Sequence, residues 1–232
     1  MSEERELAVV VLLSGGVDSS VLLHHVACNL HYDVLHALSF DYGQRHAREL
    51  DCARAQAVSA GARVHEIIDA SFFGALVRPG STLIAGGAEV PDLDTLDEEA
   101  REQPPTYVPN RNMMLLAMAA AYAEAQGICD ICYGAQAQDE YGYWDCTRDF
   151  LERINDVLAL NRKHRVTIHA PFVDKSKAAI VRLGGKLGVD FGRTWSCYRG
   201  GDVACGTCPT CVERRNAFEA AQIEDPLPYA NA

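Results

Sequence analysis

The sequence contains no apolar run near the roughly 20 residues that span a bilayer, so no membrane-crossing helix is expected. It also lacks any run of lysine or arginine. Its 21 basic residues stand against 32 acidic ones, a formal net charge of −11. That balance leaves no footprint for a phosphate backbone, which argues against an RNA or DNA partner. Part of the excess is local: Glu89 to Gln103 carries seven acids and one arginine. No export leader is visible, because the acidic start MSEEREL runs straight into an apolar stretch. Without a leader, and with an odd total of nine cysteines, a disulfide framework is not expected. A cytoplasmic location is the corresponding expectation. Internal repeats and low-complexity tracts are absent.

What is present reads as an α/β protein. Leu7 to Leu13 is apolar and rich in valine, the pattern of a strand buried on both faces. A helix over Asp18–Asn29, a strand over Val34–Phe40, a helix over His46–Ala60 stopped by Gly61, and a strand over Ala62–Ile68 follow. This alternation predicts a parallel, Rossmann-like sheet with helices on both faces and right-handed crossovers. Phe72 to Pro105 has no clear periodicity and reads as a long, partly irregular insertion. Further helices are predicted over Asn112–Gln126, Arg148–His164, Ser176–Leu187 and Val212–Ala221, with strands over Ile128–Tyr133 and Val166–His169. The 232 residues suit one α/β domain over 1–190 and a small cysteine-rich module over 191–232.

The first strand runs into SGGVDSS, Ser14 to Ser20, and then into a helix. Strand, glycine-rich turn and helix make a phosphate site, because the helix start offers unpaired amides and the positive end of the macrodipole. Small residues let backbone approach the anion, and Ser14, Ser19 and Ser20 add hydroxyls. Asp18 either caps the helix or helps to hold a metal on the phosphates. A lysine is missing, so this is not a Walker A loop, and the GxGxxG pattern is absent too.

Four other segments carry chemistry. DYGQRHARE, Asp41 to Glu49, places Asp41, Tyr42, Gln44, Arg45 and His46 after the second strand, where open α/β sheets bind ligands. In TYVPNRN, Arg111 sits at a helix start, which suits a cation only if it meets an anion: a substrate carboxylate or a phosphate. GAQAQDEYGYWDC joins Asp139, Glu140 and Asp145 to Tyr141, Tyr143 and Trp144, a set that suits a flat, NH-rich heterocycle such as a guanine analogue. KSK puts Lys175 and Lys177 at the start of the last long helix. Finally, Cys197, Cys205, Cys208 and Cys211 have the spacing C-x₇-C-x₂-C-x₂-C, which closes a tetrahedral zinc site. A redox CxxC pair would leave Cys197 and Cys211 unexplained. Cys129 and Cys132 share a predicted strand on alternating faces and read as core.

SGGVDSS resembles the pyrophosphatase loop of the N-type ATP pyrophosphatases, the PP-loop superfamily. SGGVDSS, DYGQRH, TYVPNRN, GYWDC and WSCYRGG with CGTCPTC, in this order over Val9 to Phe218, resemble the 7-cyano-7-deazaguanine synthase family of queuosine biosynthesis. The resemblance implies that 7-carboxy-7-deazaguanine is adenylated by ATP, that ammonia displaces AMP to give the amide, and that a second activation dehydrates the amide to the nitrile. It implies Mg²⁺, structural Zn²⁺ on the four cysteines, and a homodimer. Under it, Ser14, Gly15, Gly16, Val17, Asp18, Ser19 and Ser20 hold ATP. Arg45, His46, Arg111 and Lys175 serve the acid or leaving group. Asp41, Tyr42, Gln44, Asp139, Tyr143 and Asp145 bind the heterocycle. The sequence departs from the family's GYPDCR at Trp144 and Thr147, and has Asn110 where glycine or alanine is common. Two rival readings stay open: a diverged ligase that joins the same acid to another amine, on a small molecule or a protein, and a PP-loop enzyme acting on tRNA, with Cys146 as a sulfur relay. A zinc module that binds nucleotides without catalysis is a third.

Overall fold

The computed structural model describes residues 6–45, 48–97, 104–137 and 143–230. Five parallel strands form one sheet in the order β3-β2-β1-β4-β5. They are β1 (Ala8–Leu12), β2 (Val34–Asp41), β3 (Val64–Asp69), β4 (Asp130–Cys132) and β5 (Thr167–His169). Among the described residues the α-helices are α1 (Val17–Asn29), α2 (Arg48–Ser59), α3 (Ser71–Val77), α4 (Arg111–Gln126), α5 (Arg148–Leu158), α6 (Lys177–Leu187) and α7 (Pro209–Ala221). The pleat explains the uninterrupted apolar run of β1. Val9, Val11 and Leu13 join Leu35 and Ala37 under α1, α2, α6 and α7. Val10 joins Leu38, Phe40 and Ile131 under α3, α4 and α5 on the other face. Each face is therefore covered, as a parallel sheet requires.

The strand order reverses direction between β1 and β4. The chain crosses from β3 over to β4 there, so the loops after these neighbouring strands diverge and leave a crevice at their carboxyl ends. Two glycines set the walls of that crevice. Gly15 lies at φ +87°, and a Cβ on it would stand 2.1 Å from the Glu49 carbonyl oxygen, so only glycine lets the first loop lie against α2. A Cβ on Gly184 would stand 2.6 Å from both Val21 Cγ2 and Phe191 Cζ, so glycine lets α6 approach α1 closely.

Several element boundaries differ from the sequence expectation. Ser71–Val77, at the start of the partly irregular insertion, is a helix that was not expected. Seven residues are too few to show a period, and the helix is held by the burial of Phe73. The helix expected over Arg148–His164 stops at Leu158, beyond which the Asn161 side chain accepts the Lys163 and His164 amides in a turn. α7 begins at Pro209 rather than Val212; proline at the first helical position needs no amide partner. The C-terminal segment shares the main core, since Ala217, Phe218 and Ala221 pack with α1 and α6.

Two of the unusual residues have plain structural jobs. Asn110 adopts φ 55° at the start of α4, a left-handed conformation that asparagine tolerates better than most residues. Thr147 caps α5, its hydroxyl accepting the Phe150 amide at 3.1 Å. Thr147→Ala should cost about 1 kcal/mol, read as a Tm lower by about 2–4 °C for a chain of this size.

Candidate active site

A cavity of about 560 Å³ opens at the carboxyl edge of the sheet, over the reversal point. The ends of β1, β2 and β4 reach it through Leu12 and Leu13, Leu38 and Phe40, and Tyr133 to Ala135. Its polar lining includes Ser14, Gly16, Asp18, Ser19, Lys177 and Glu213. Its apolar and aromatic lining includes Leu83, Leu93, Leu96, Tyr42, Tyr143 and Tyr198.

The polar lining is built around the amino end of α1. No side chain caps this helix, which leaves its first-turn amides to an anion. Ser19 fastens the loop: its hydroxyl accepts the Ser14 amide at 3.1 Å and meets the Ser14 hydroxyl at 2.9 Å. Ser20, expected to add a phosphate donor, is instead fully buried beneath the loop, because its place on α1 faces the core. Gly15 serves the contact with α2, and its carbonyl accepts the Trp195 amide at 3.0 Å. Asp18 does not cap the helix. Its Oδ2 lies 3.1 Å from Lys177 Nζ, and Lys177 Nζ donates to Glu213 Oε2 at 2.8 Å. Glu213 is held in turn by Gln136 Nε2 at 3.2 Å. The second oxygen of Asp18, Oδ1, is buried with no hydrogen-bond partner among the described residues. Burial pushes the Asp18 carboxyl above its ordinary pKa, with Lys177 pulling against it.

Lys177 is the residue that sequence reasoning passed over in favour of Lys175. Lys175 is exposed and precedes the Ser176 cap of α6, whereas Lys177 is buried. The signal was present: Lys177 stands at i before Ile180, Val181 and Gly184 at i+3, i+4 and i+7, so it shares the buried face of α6.

Arg111 lines the cavity as expected, beside Tyr42. Burial opposes its charge, but Tyr42, Tyr198, Cys146 and Asp145 outweigh that and hold it above its ordinary value. Tyr143 also lines the cavity, its hydroxyl 2.9 Å from Thr106 Oγ1. Gln44 reaches the wall while fastening its own loop, donating to the Phe40 carbonyl and accepting the Tyr42 amide. Three expected site residues are engaged elsewhere. Arg45 donates to the carbonyls of Thr82, Gly87 and Ala88, which pins the insertion. Asp41 is exposed and accepts the Gly43 amide. Asp145 is buried behind the wall, where it accepts the Asn112 amide at 3.0 Å and serves the start of α4. His46 and Asp139 lie outside the described residues.

The four cysteines of the C-terminal module converge, with their sulfur atoms within 4.8 Å of one another. Cys208 is the cap of α7 and Cys211 lies in its first turn. Backbone amides of Cys205 and Cys208 point at the sulfurs of Cys197 and Cys205, at 3.4 and 3.3 Å. Four converging thiols with amide donors to the sulfur form a set that could hold a metal.

The family model described as "Queuosine biosynthesis protein QueC" matches residues 8–222. The chain belongs to the QueC family. Relatives named 7-cyano-7-deazaguanine synthase are similar over nearly the whole chain. The one from Alteromonas mediterranea is 43% identical, over 95% of this chain and 98% of its own. Those from Pseudoalteromonas atlantica and Nostoc sp. are 41% and 40% identical, over 95% and 97% of this chain and 98% of each relative. Among solved structures, NMN synthetase from Francisella tularensis has a TM-score of 0.50 at 15% identity, covering 95% of this chain and 79% of its own, a likeness of fold. Trp144 is not among the residues that line the cavity. It is 48% exposed, donates through Nε1 to Tyr107 Oη at 2.8 Å and packs edge-on against Phe150. It thus keeps the turn in place by packing.

The electrostatics of Asp18 predict a trade between function and stability. Its folded pKa lies above the unfolded value, so the stability it contributes is lost as pH rises through the folded pKa. Asp18→Asn should therefore raise the Tm of the ligand-free protein at pH 7.5. That gain should shrink as pH falls toward the ordinary carboxylate range, in melts run across that interval.

Proposed function

We propose that the chain converts 7-carboxy-7-deazaguanine and ammonia to 7-cyano-7-deazaguanine, at the expense of ATP cleaved to AMP and pyrophosphate. The observation that carries the reading is one cavity lined both by an anion-binding helix start with Lys177 and by aromatics with Arg111. Names of relatives across nearly full length support the same substrate.

The chemistry follows from the leaving groups. A carboxylate oxygen is a poor leaving group; after attack on the α-phosphorus of ATP it departs as AMP. Lys177 and the first-turn amides of α1 stabilise the charge that develops on pyrophosphate. Arg111 orients the acid, and Tyr42, Tyr143 and Tyr198 enclose the flat ring. Ammonia then displaces AMP and leaves the amide. The amide oxygen repeats the attack on a second ATP, and loss of AMP together with both nitrogen-bound protons gives the nitrile.

The unpartnered Asp18 Oδ1 is a hard oxygen donor at the phosphate end and fits Mg²⁺. When bound, Mg²⁺ would offset charge on the departing pyrophosphate. Cys197, Cys205, Cys208 and Cys211 fit Zn²⁺ with no open position, a structural role. The test is mass spectrometry after incubation with ATP, Mg²⁺, ammonium and the acid. Amide followed by nitrile supports the reading; ATP cleavage with no change in the acid would sink it.

A further inference from the structure

Part of the cavity's apolar wall comes from the insertion between α3 and α4, through Leu93 and Leu96. Among its described residues this stretch contributes no strand or long helix, only single turns over Arg78–Gly80 and Leu93–Thr95. Its place therefore depends on what holds it from outside. Arg45 pins its first part at Thr82, Gly87 and Ala88; from Val90 onward the cysteine module holds it. Arg199 donates through Nε and Nη2 to the Val90 carbonyl at 3.2 and 3.0 Å. Its Nη2 also meets Asp92 Oδ1 at 2.9 Å, and its Nη1 donates to Thr207 Oγ1 at 3.0 Å. The Leu93 amide completes the set by donating to the Thr207 carbonyl at 3.1 Å. Thr207 lies between the thiols Cys205 and Cys208, in the tight turn of the metal-type cluster.

We infer that Arg199 is a positioning residue for the heterocycle: it ties the Val90–Leu96 wall to the cysteine turn, and so fixes the apolar lining of the pocket without touching the ligand. The ion pair with Asp92 alone would carry little, since both side chains are about a third exposed. The strength lies in one guanidinium serving three acceptors on two segments. Lysine has no such fork and cannot reproduce it. The same geometry gives the cysteine cluster a second task, as the anchor of a specificity wall. This inference rests on the proposed substrate only for its kinetic arm.

The experiment compares wild type, Arg199→Met, Arg199→Lys and Asp92→Ala in the full chain. Hydrogen–deuterium exchange should rise about tenfold or more over residues 90–96 in Arg199→Met, with the amides of 8–40 and the bound zinc content unchanged. The KM for 7-carboxy-7-deazaguanine should rise about tenfold in the same variant, with kcat and the KM for ATP within about twofold. Arg199→Lys should restore less than half of the change on a logarithmic scale. Asp92→Ala should give a smaller shift of the same kind. Unchanged exchange over 90–96 would overturn the inference. So would kcat, ATP affinity and zinc content falling together, which would mean that Arg199 merely holds the module folded. If wild type leaves the acid untouched, the substrate reading fails, and the exchange data still decide whether Arg199 holds the wall.

Discussion

Lys177→Met is expected to lower kcat by about 10³-fold, while Lys175→Met changes it by less than about twofold. The two lysines are neighbours in sequence but not in environment. Lys177 Nζ is clamped between Asp18 and Glu213 beside the amino end of α1, in the polar lining of the cavity. Lys175 is exposed on the other side of the Ser176 cap. A positive charge aimed at a departing pyrophosphate acts mainly in the transition state, so the loss should fall on kcat rather than on the KM for the acid. The methionine variant also leaves two carboxylates facing each other with no cation, so its Tm should fall. Lys177→Arg separates the two effects. It keeps the charge and much of the stability, yet moves the donor, so kcat should stay well below that of wild type. Steady-state kinetics with melts on all four proteins checks this. Equal losses in Lys175→Met and Lys177→Met would remove Lys177 from the site.

Cys208→Ser should have the largest effect on the fold. Cys208 is fully buried, caps α7 and is central to the converging thiols. Structural zinc sites contribute on the order of 10 kcal/mol in small metal-dependent folds. Here α7 also rests on the main core, so the loss should appear as a Tm lower by more than about 10 °C rather than as complete unfolding. Zinc measured by elemental analysis should drop from near one per chain to near zero. Cys129, read from the sequence as core, is exposed just before β4, and Cys129→Ser should keep both zinc and Tm. Because Trp195 of the same C-terminal segment bonds Gly15, ATP use should fall along with the metal.

These two residues also mark how far the sequence could be read. The cysteine cluster was legible because its ligands are close in sequence and their spacing reports a metal geometry directly. The sheet was legible because β1, β2 and their helices alternate with clear periods. Lys177 was within reach, since its buried face follows from helical spacing with Ile180, Val181 and Gly184. Arg45 and Asp145 were not. Both stand in motifs full of polar residues, and what assigns them is a tertiary partner: loop carbonyls 37 to 43 residues away for Arg45, and the Asn112 amide for Asp145. Glu213 was missed for the same reason. It lies on α7 behind the cysteines, and only the packing of α6 against α7 carries it to Lys177.

The central claim is that each oxygen of the acid leaves on AMP. It is tested most directly by supplying 7-carboxy-7-deazaguanine with ¹⁸O in both carboxylate positions. The account predicts one ¹⁸O in each AMP formed, one AMP at the amide stage and a second at the nitrile stage, with unlabelled pyrophosphate. Label appearing in pyrophosphate, in inorganic phosphate or in water, with unlabelled AMP, would contradict it.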